Sequence, residues 1–330
     1  MSDIIEKLKK ANLLGRGGAN FPTGAKWEAV KKANPPAGGT KYVVCNASEG
    51  EPGAFKDEFI LSTYPEEILS GIKIAADEIG AKSTYIYLNK KYYLKFKNKI
   101  EKLAKKVNLE LAVFKKPNGY ICGEETTMLN VIEGKFEQPR LKPPYPTEYG
   151  LFNCPTIINN VETFYYVSKI AKGEYKNTRF YSISGDIKNK GVFEMPENLT
   201  VRQILEKTNN YPKKDSFIQV GGGACGEIRL VSELDNPICG TGVLIVFDKK
   251  KTNPMNLMMQ WAEFFFVGNC DKCVPCREGI YRIREMVDNK KIEKEKLSEI
   301  FLAMEETSFC PLGRMAVTPF KTLLDKIIKQ

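Results

Sequence analysis

Three cysteines recur at every third position in Cys270-Asp271-Lys272-Cys273-Val274-Pro275-Cys276, and a fourth, Cys310, precedes a proline 34 residues further on. Thiols at that spacing can turn three sulfurs about one point, and a helical hairpin returning the fourth would close a coordination sphere. Four thiolates suit either a [4Fe–4S] cluster or a structural zinc ion. Zinc sites normally pair two C-x₂-C knuckles; a triple plus a single fits the cluster better, with zinc as the alternative. The chain contains no histidine. That excludes Ser-His-Asp and Cys-His nucleophile systems, HExxH hydrolases and every His-ligated zinc. It also removes the usual general acid–base near neutral pH, so any enzymatic chemistry is expected to belong to a cofactor.

At 330 residues the chain can hold two or three domains. No apolar run is long enough for a membrane span, and the acidic, helix-patterned N-terminus has no signal-peptide core. These features predict a cytoplasmic protein, touching a membrane only through partner subunits. Nine cysteines in that setting point to metal ligation or buried thiols instead of disulfides. The net charge of +10 raises a second class of function, a basic zinc-bearing adaptor for nucleic acid. The lysines, however, are spread over helix faces such as 90–106 and 290–296, which reads as a solvated surface.

Residues 14–27 hold four glycines and a proline, a poor helix and a poor strand. They make either a backbone cradle for a ligand or a surface loop. A strand at 41–45 then runs into the polar turn Asn46–Asp57, where α/β proteins place ligand contacts. A helix at 65–79, a strand at 84–88, a helix marked by Leu94, Ile100, Leu103, Ala104 and Val107, and a strand at 109–114 follow. This alternation predicts a Rossmann-like, doubly wound parallel sheet. The third strand leads to Asn118–Thr127 and a helix, then to a Pro-rich extended crossing at 138–146. Pro155–Thr163 reads as the start of another helix with side-chain amides in its first turn. Beyond 178, two strands, a helix at 200–207 and three further strands outline a small β-grasp module. Gly221-Gly222-Gly223 reads as a turn there, because no helix follows it. From 253 onward the pattern is helical, including 294–306 and 313–328, and predicts a four-helix bundle bearing the cysteine loops at one end.

The stretches GRGGANFPTGAKW, NASEGEPGAFKD, GYICGEET, QPRLKPPYP, PTIINNVET and CDKCVPCREG together resemble the flavin-bearing subunit of respiratory complex I, the NuoF or 51-kDa family. That family extends to subunits of soluble multimeric hydrogenases and formate dehydrogenases. The motifs stand in family order from residue 13 to about 315. The resemblance implies three regions: an FMN- and NAD-binding α/β domain over 1–176, a β-grasp domain over 177–250 and a helical iron–sulfur domain over 251–330. It implies FMN as the group carrying the hydride chemistry, NAD(H) or NADP(H) as substrate, and a [4Fe–4S] cluster held by Cys270, Cys273, Cys276 and Cys310. No side chain is then needed as a catalytic acid or base.

Carried over by motif position, the FMN contacts are Gly15, Arg16, Gly17, Lys26, Asn46, Ser48, Glu49, Tyr120, Gly123, Glu124, Glu125, Asn159 and Asn160. Phe21, Glu51, Lys142 and Tyr145 are implied for the dinucleotide. Ser48 stands where the family usually has Asp, and Asn20 where it usually has Gly. Cys45, Cys122, Cys154, Cys225 and Cys239 fall outside the cluster pattern and read as buried thiols. The thioredoxin-like and ferredoxin-like domains of larger relatives are not seen in the sequence. Their centres are expected on partners: a thioredoxin-like [2Fe–2S] subunit and a further iron–sulfur, hydrogenase or dehydrogenase subunit. The expected role is electron entry, with electron bifurcation to ferredoxin as the alternative within the same fold.

Overall fold

A run of β-branched and apolar letters too short for a helix makes each strand of the first sheet. In the computed structural model, which describes residues 4–238 and 240–328, β1 is Tyr42–Ala47, β2 Ser83–Leu88, β3 Leu111–Lys115 and β4 Thr156–Asn160. All pair in parallel, in the order β3-β2-β1-β4. The register sets Asn46 of β1 opposite Asn160 of β4. The helices of this region are α1 (Ile4–Lys10), α2 (Thr23–Lys32), α3 (Lys56–Thr63), α4 (Pro65–Ile79), α5 (Lys90–Lys106), α6 (Glu125–Ile132), α7 (Pro146–Tyr149) and α8 (Val161–Ala171). Pro65 in the first turn starts α4 and Gly80, left-handed at φ 69°, ends it. Gly71 lets α4 lie directly on α8: a Cβ there would stand 2.0 Å from the carbonyl oxygen of Phe164.

Two sequence expectations change here. Pro155–Thr163 is not the start of a helix: Thr156–Asn160 is the fourth strand, and α8 begins only at Val161. Buried on both faces, Thr156, Ile157 and Ile158 carry no alternation to mark them as a strand. The amides attributed to a helical first turn therefore lie at the strand end, with Asn160 capping α8 by accepting from Glu162 N–H. On α5 the buried face is Tyr92, Phe96, Ile100 and Ala104, whereas Leu94 and Val107 point to solvent.

A second sheet takes β5 (Thr178–Gly185), β6 (Gly191–Pro196), β7 (Ser216–Val220), β8 (Glu227–Leu230) and β9 (Val243–Asp248) in the order β6-β5-β9-β7-β8. Its first and last strands are parallel neighbours, and α9 (Val201–Lys207) crosses between its second and third. This is the β-grasp arrangement. Tyr181, Ile204, Ile218 and Leu244 meet in its core. The remaining helices are α10 (Pro254–Gly268), α11 (Val274–Asp288), α12 (Lys294–Thr307), α13 (Pro311–Met315) and α14 (Thr318–Lys326). The expected single stretch at 313–328 is thus two helices. Pro319, in the first turn of α14, has no N–H to carry a ladder through from α13. Phe320 of α14 meets Trp261 of α10 and Phe301 of α12 edge-on or tilted, closing the bundle around aromatic rings.

The chain forms two compact units. The first holds residues up to Gly50, Phe55–Asn118 and Cys122–Arg179; the second holds Glu51–Ala54, Gly119–Ile121 and the rest of the chain from Phe180.

Candidate functional site

In a parallel sheet of order 3-2-1-4 the crossover direction reverses between strands 1 and 4, and the loops leaving their carboxyl ends part to form a crevice. Here those ends are Ala47 with Ser48 and Glu49, and Asn160. Most of the residues implied for FMN converge on this point of the first unit. Asn46 Nδ2 donates to the Gly123 carbonyl at 3.0 Å, and Ser48 N–H and Oγ donate to Asn46 Oδ1 at 3.1 and 2.6 Å. A Cβ at Gly123 would stand 2.9 Å from Ser48 Oγ, so a larger residue there would push that hydroxyl aside from Asn46.

The glycine-rich loop folds back on itself, Gly15 N–H donating to Phe21 O at 2.9 Å. Gly17 lies against Asn160, its virtual Cβ 3.6 Å from the Asn160 Cβ. Asn20 is left-handed at φ 52°, a conformation natural to glycine that asparagine tolerates best among the others.

Several side chains at this crevice are spent on holding it. Arg16 is buried: its N–H donates to Thr163 Oγ1 at 3.0 Å, its guanidinium faces Glu162 at 4.0 Å and lies over the Tyr166 ring. Asn159 Oδ1 accepts from Trp27 Nε1 at 2.9 Å in the core. Asn160 uses its whole amide. Nδ2 donates to Asp57 Oδ2 at 2.7 Å and to Asn46 O at 3.3 Å, while Oδ1 accepts from Lys56 Nζ at 3.1 Å and Glu162 N–H at 3.0 Å. These residues present backbone to a ligand more than side chain.

Beneath the crevice lies a buried ionic network. Lys56 Nζ sits 2.6 Å from Asp57 Oδ1 and 3.1 Å from Glu162 Oε2. Burial pulls the Lys56 pKa down, but Asp57, Glu162 and Glu49 outweigh it and the ammonium is held more firmly than usual. Glu49 accepts from Asp57 N–H at 3.2 Å and Tyr92 OH at 2.7 Å. Burial, reinforced by Asp57, raises its pKa to about 7. Lys56, Asp57, Tyr92 and Glu162 were not singled out from the sequence. Lys56 and Asp57 stood inside a polar turn, and nothing local distinguishes a buried Lys-Asp pair from a solvated one.

At the other edge, Glu124 caps α6, one carboxylate oxygen accepting from the N–H and Oγ1 of both Thr126 and Thr127. Lys142 Nζ bridges Glu124 at 3.2 Å and Glu125 at 2.6 Å. Lys26 donates to Ile158 O at 3.1 Å and faces Glu125 at 4.0 Å. Burial lowers the Lys26 pKa, with Lys142 adding to the effect against Glu125. Burial opposes ionisation of Glu125, yet Lys26 and Lys142 hold its pKa below the usual range. Phe21 and Tyr145 are each more than half exposed, with ring faces free to stack on a planar ligand.

Tyr120 and Glu51 fall in the second unit and belong to one contact. Tyr120 OH donates to Glu51 Oε2 and its ring packs on Phe264 at 4.8 Å. Glu51 Oε1 accepts from Ala224 N–H at 2.8 Å and Cys225 N–H at 3.0 Å. The triple glycine is the expected turn, and its following amides form a nest that clasps this carboxylate. Gly222, at φ 139°, leaves room for the Glu51 carboxyl that any side chain would fill.

In the second unit the loop before α11 carries Cys270 and Cys273, with Cys276 in the first turn; Cys310 caps α13. Cys273, Cys276 and Cys310 are buried and Cys270 half-buried. Burial pushes the Cys276 thiol up, and Cys273, Cys310 and Cys270 add to the shift, so the four thiols feel one another. Gly313 seats α13 against Cys276, its virtual Cβ 3.0 Å from the Cys276 Cβ. Among the described residues no three Cys, Asp or Glu side chains converge tightly enough for a single ion. A polynuclear cluster, with iron and sulfide between the thiolates, needs no such convergence, so the donor set fits it. Of the other cysteines, Cys45, Cys122 and Cys154 are buried, Cys225 is half-buried, and Cys239 lies outside the described residues. Burial and Glu137 hold the Cys122 pKa up at about 12.

A half-Rossmann sheet with a glycine-lined crevice at its switch point, carried in one chain with a helical bundle bearing four thiols, defines a class of protein that joins a ligand crevice to a thiolate cluster site. Residues 8–169 match the family described as the Nuo51 FMN-binding domain, and residues 256–329 the NADH-ubiquinone oxidoreductase-F iron-sulfur binding region. A NuoF-type NADH-quinone oxidoreductase chain of Rhizobium meliloti is 32% identical over 98% of this chain and 86% of its own length. Its counterpart in Aquifex aeolicus is 33% identical over 98% of this chain and 84% of its own. The fold matches a solved NAD⁺-reducing [NiFe]-hydrogenase with a TM-score of 0.92 at 28% identity; 99% of this chain is covered, but only 61% of the hydrogenase chain. The protein belongs to the NuoF (51-kDa) family of NADH-quinone oxidoreductase chains. It is an oxidoreductase with an FMN-binding domain and a [4Fe–4S] region, and the zinc reading gives way to the iron–sulfur one. Among the described residues no helix is long and apolar enough to cross a membrane.

Proposed function

We propose that the chain is an electron-entry subunit, taking hydride from NADH or NADPH and delivering single electrons to partner redox subunits. The observation that carries this reading is the meeting of four separate segments, the glycine loop, the β1 turn, Gly123–Glu125 and Asn159-Asn160, at the switch point of the parallel sheet. Bound FMN would supply a two-electron hydride acceptor, and a cluster held by the four thiols would supply one-electron transfer.

The chain's own part is binding and orientation. Gly15 and Gly17 let the loop backbone approach the ligand, and Gly123 does so from the opposite side. Asn159 and Asn160 hold the β4 end so that its backbone, extending into α8, faces the phosphate. Lys26 places positive charge beside the crevice, and the Lys142 bridge fixes Glu124 and Glu125. Phe21 and Tyr145 supply stacking faces for the dinucleotide, whose polar groups Lys142 can meet. Glu51 and Tyr120, both of the second unit, are further proposed contacts for NAD and FMN respectively. Cys270, Cys273, Cys276 and Cys310 ligate the cluster. On this reading residues 1–176, 177–250 and 251–330 divide the labour as flavin, β-grasp and iron–sulfur regions. The partners are a thioredoxin-like [2Fe–2S] subunit and a further redox subunit.

Anaerobic purification with cofactor reconstitution tests the proposal. One FMN and about four irons per chain, with NADH-dependent reduction of ferricyanide, are expected. A colourless protein after reconstitution would remove it.

A further inference from the structure

Helix α5 takes no part in the chemistry above, yet it carries eight lysines against one glutamate, Glu101. The chain's net charge is +10, so this one helix holds most of the excess. Four of the lysines are tied down: Lys91 and Lys95 share Glu58, Lys97 faces Glu101, and Lys99 reaches the Ser62 carbonyl. Lys90, Lys102, Lys105 and Lys106 are exposed and make no ion pair among the described residues. Like charges three and four apart on a helix repel and cost stability. On the same outer side Leu94 is 76% exposed.

The helix also starts at the candidate flavin site. Its cap, Asn89, donates from Nδ2 to the Glu49 carbonyl at 2.8 Å, and Tyr92 in its first turn donates to the Glu49 carboxylate. A partner lying along α5 therefore reaches that crevice with the part seated on the helix's first turns, around Lys90 and Leu94, and is held by Lys102, Lys105 and Lys106 further along. Exposed Leu94 lies one turn from unpaired Lys90, and unpaired Lys102, Lys105 and Lys106 extend the basic face two to three turns further along the helix, so a partner seated here meets one apolar contact and a row of cations. This face offers little to a bilayer, because the apolar face of the helix is already packed into the domain. It offers no stacking platform to nucleic acid either: Tyr92 is buried, and Tyr93 is covered by Lys97 and Lys115.

We propose that the exposed face of α5 is the docking surface for an acidic electron-carrier protein that exchanges electrons with this subunit. The assignment of the carrier's role rests on reading the neighbouring crevice as the flavin site; the acidic surface is required by α5 alone.

The test uses the full chain with FMN bound and a plant-type [2Fe–2S] ferredoxin as the acidic probe, with affinity measured by titration calorimetry at low and high salt. Wild-type affinity should fall steeply with salt. The variant Lys90→Glu/Lys102→Glu/Lys105→Glu/Lys106→Glu should bind roughly tenfold or more weakly, and its glutamine counterpart should fall between. None of these residues lies in the proposed cofactor site, so NADH–ferricyanide turnover should stay at the wild-type rate. Equal ferredoxin affinity in wild type and variant overturns the proposal. So does absent wild-type binding, including the case where phosphatidylglycerol vesicles or duplex DNA bind through these lysines instead. Ferredoxin binding that depends on α5 in a protein without NADH–ferricyanide turnover would keep the docking surface and remove the flavin reading alone.

Discussion

Asn160 shows how a residue's chemistry is fixed by what surrounds it. An exposed asparagine at a helix start could offer an amide to a phosphate, but here both donors and both acceptor positions are already used. Its partners depend in turn on Lys56, whose ammonium meets both Asp57 and Glu162. Lys56→Met should remove the cation beside Asp57 and leave Glu162 facing Arg16, at a cost of about 3–5 kcal/mol. Urea unfolding measures that loss, and FMN affinity should drop with it; a variant of wild-type stability would show the network to be unimportant. Glu49 gives a prediction of opposite character. Its folded pKa of about 7 lies above the ordinary 4.5, so the folded state holds the proton longer than the unfolded chain does. Stability contributed by this group is therefore present at low pH and is lost as pH rises from about 4.5 to 7. Glu49→Gln should flatten that slope in thermal melts taken across the window. An unchanged slope would mean the carboxyl titrates normally. Residue types alone located the glycine-rich loop and the polar turn after β1, but left the loop open between a ligand cradle and a plain surface loop. The ionic network was not legible, because Lys56, Glu162 and Tyr92 lie far apart in sequence and meet only after the sheet forms.

At the level of elements, the alternation of strand and helix through β3 could be read because α4 and β2 carry clear apolar patterns. β4 was missed for a physical reason: a strand covered on both faces loses its two-residue alternation, and its terminal asparagines look like caps. The outward face of α5 was partly misread for a related reason. Leu94 and Val107 are apolar by letter, yet Tyr92, Phe96, Ile100 and Ala104 form the stripe at helical spacing that the domain buries. The contact between α4 and α8, by contrast, hangs on a residue with no pattern at all. Gly71→Ala would force a methyl to 2.0 Å from the Phe164 carbonyl, which neither helix can allow without moving. Separating them disturbs α8, whose capping residue Asn160 belongs to the candidate site. A destabilisation of about 1–3 kcal/mol or more is expected in urea, with weaker FMN retention. Full stability and FMN binding would show that the helices have slack the geometry does not reveal.

On the scale of the whole molecule, the chain carries two cofactor regions in two compact units, each with a core of its own. The cysteine spacing announced the second from sequence, since four thiols in that pattern have few other uses, and the bundle brings them into mutual electrostatic contact. If the cluster is a relay and not a structural staple of the flavin region, removing one ligand should separate the two steps. Cys273 sits at the N-cap of α11, outside every contact that builds the crevice in the first unit. Cys273→Ser should therefore lower iron content and abolish the cluster's electron paramagnetic signal, and the bundle should lose stability because ligation and folding are coupled. FMN content should hold, and NADH should still bleach the flavin absorbance in anaerobic stopped flow, while delivery of electrons to a reconstituted partner complex stops. Retention of full iron would take Cys273 out of the ligand set. Failure of flavin bleaching with FMN still bound would mean the four thiols govern hydride transfer as well, and the relay assignment would fall.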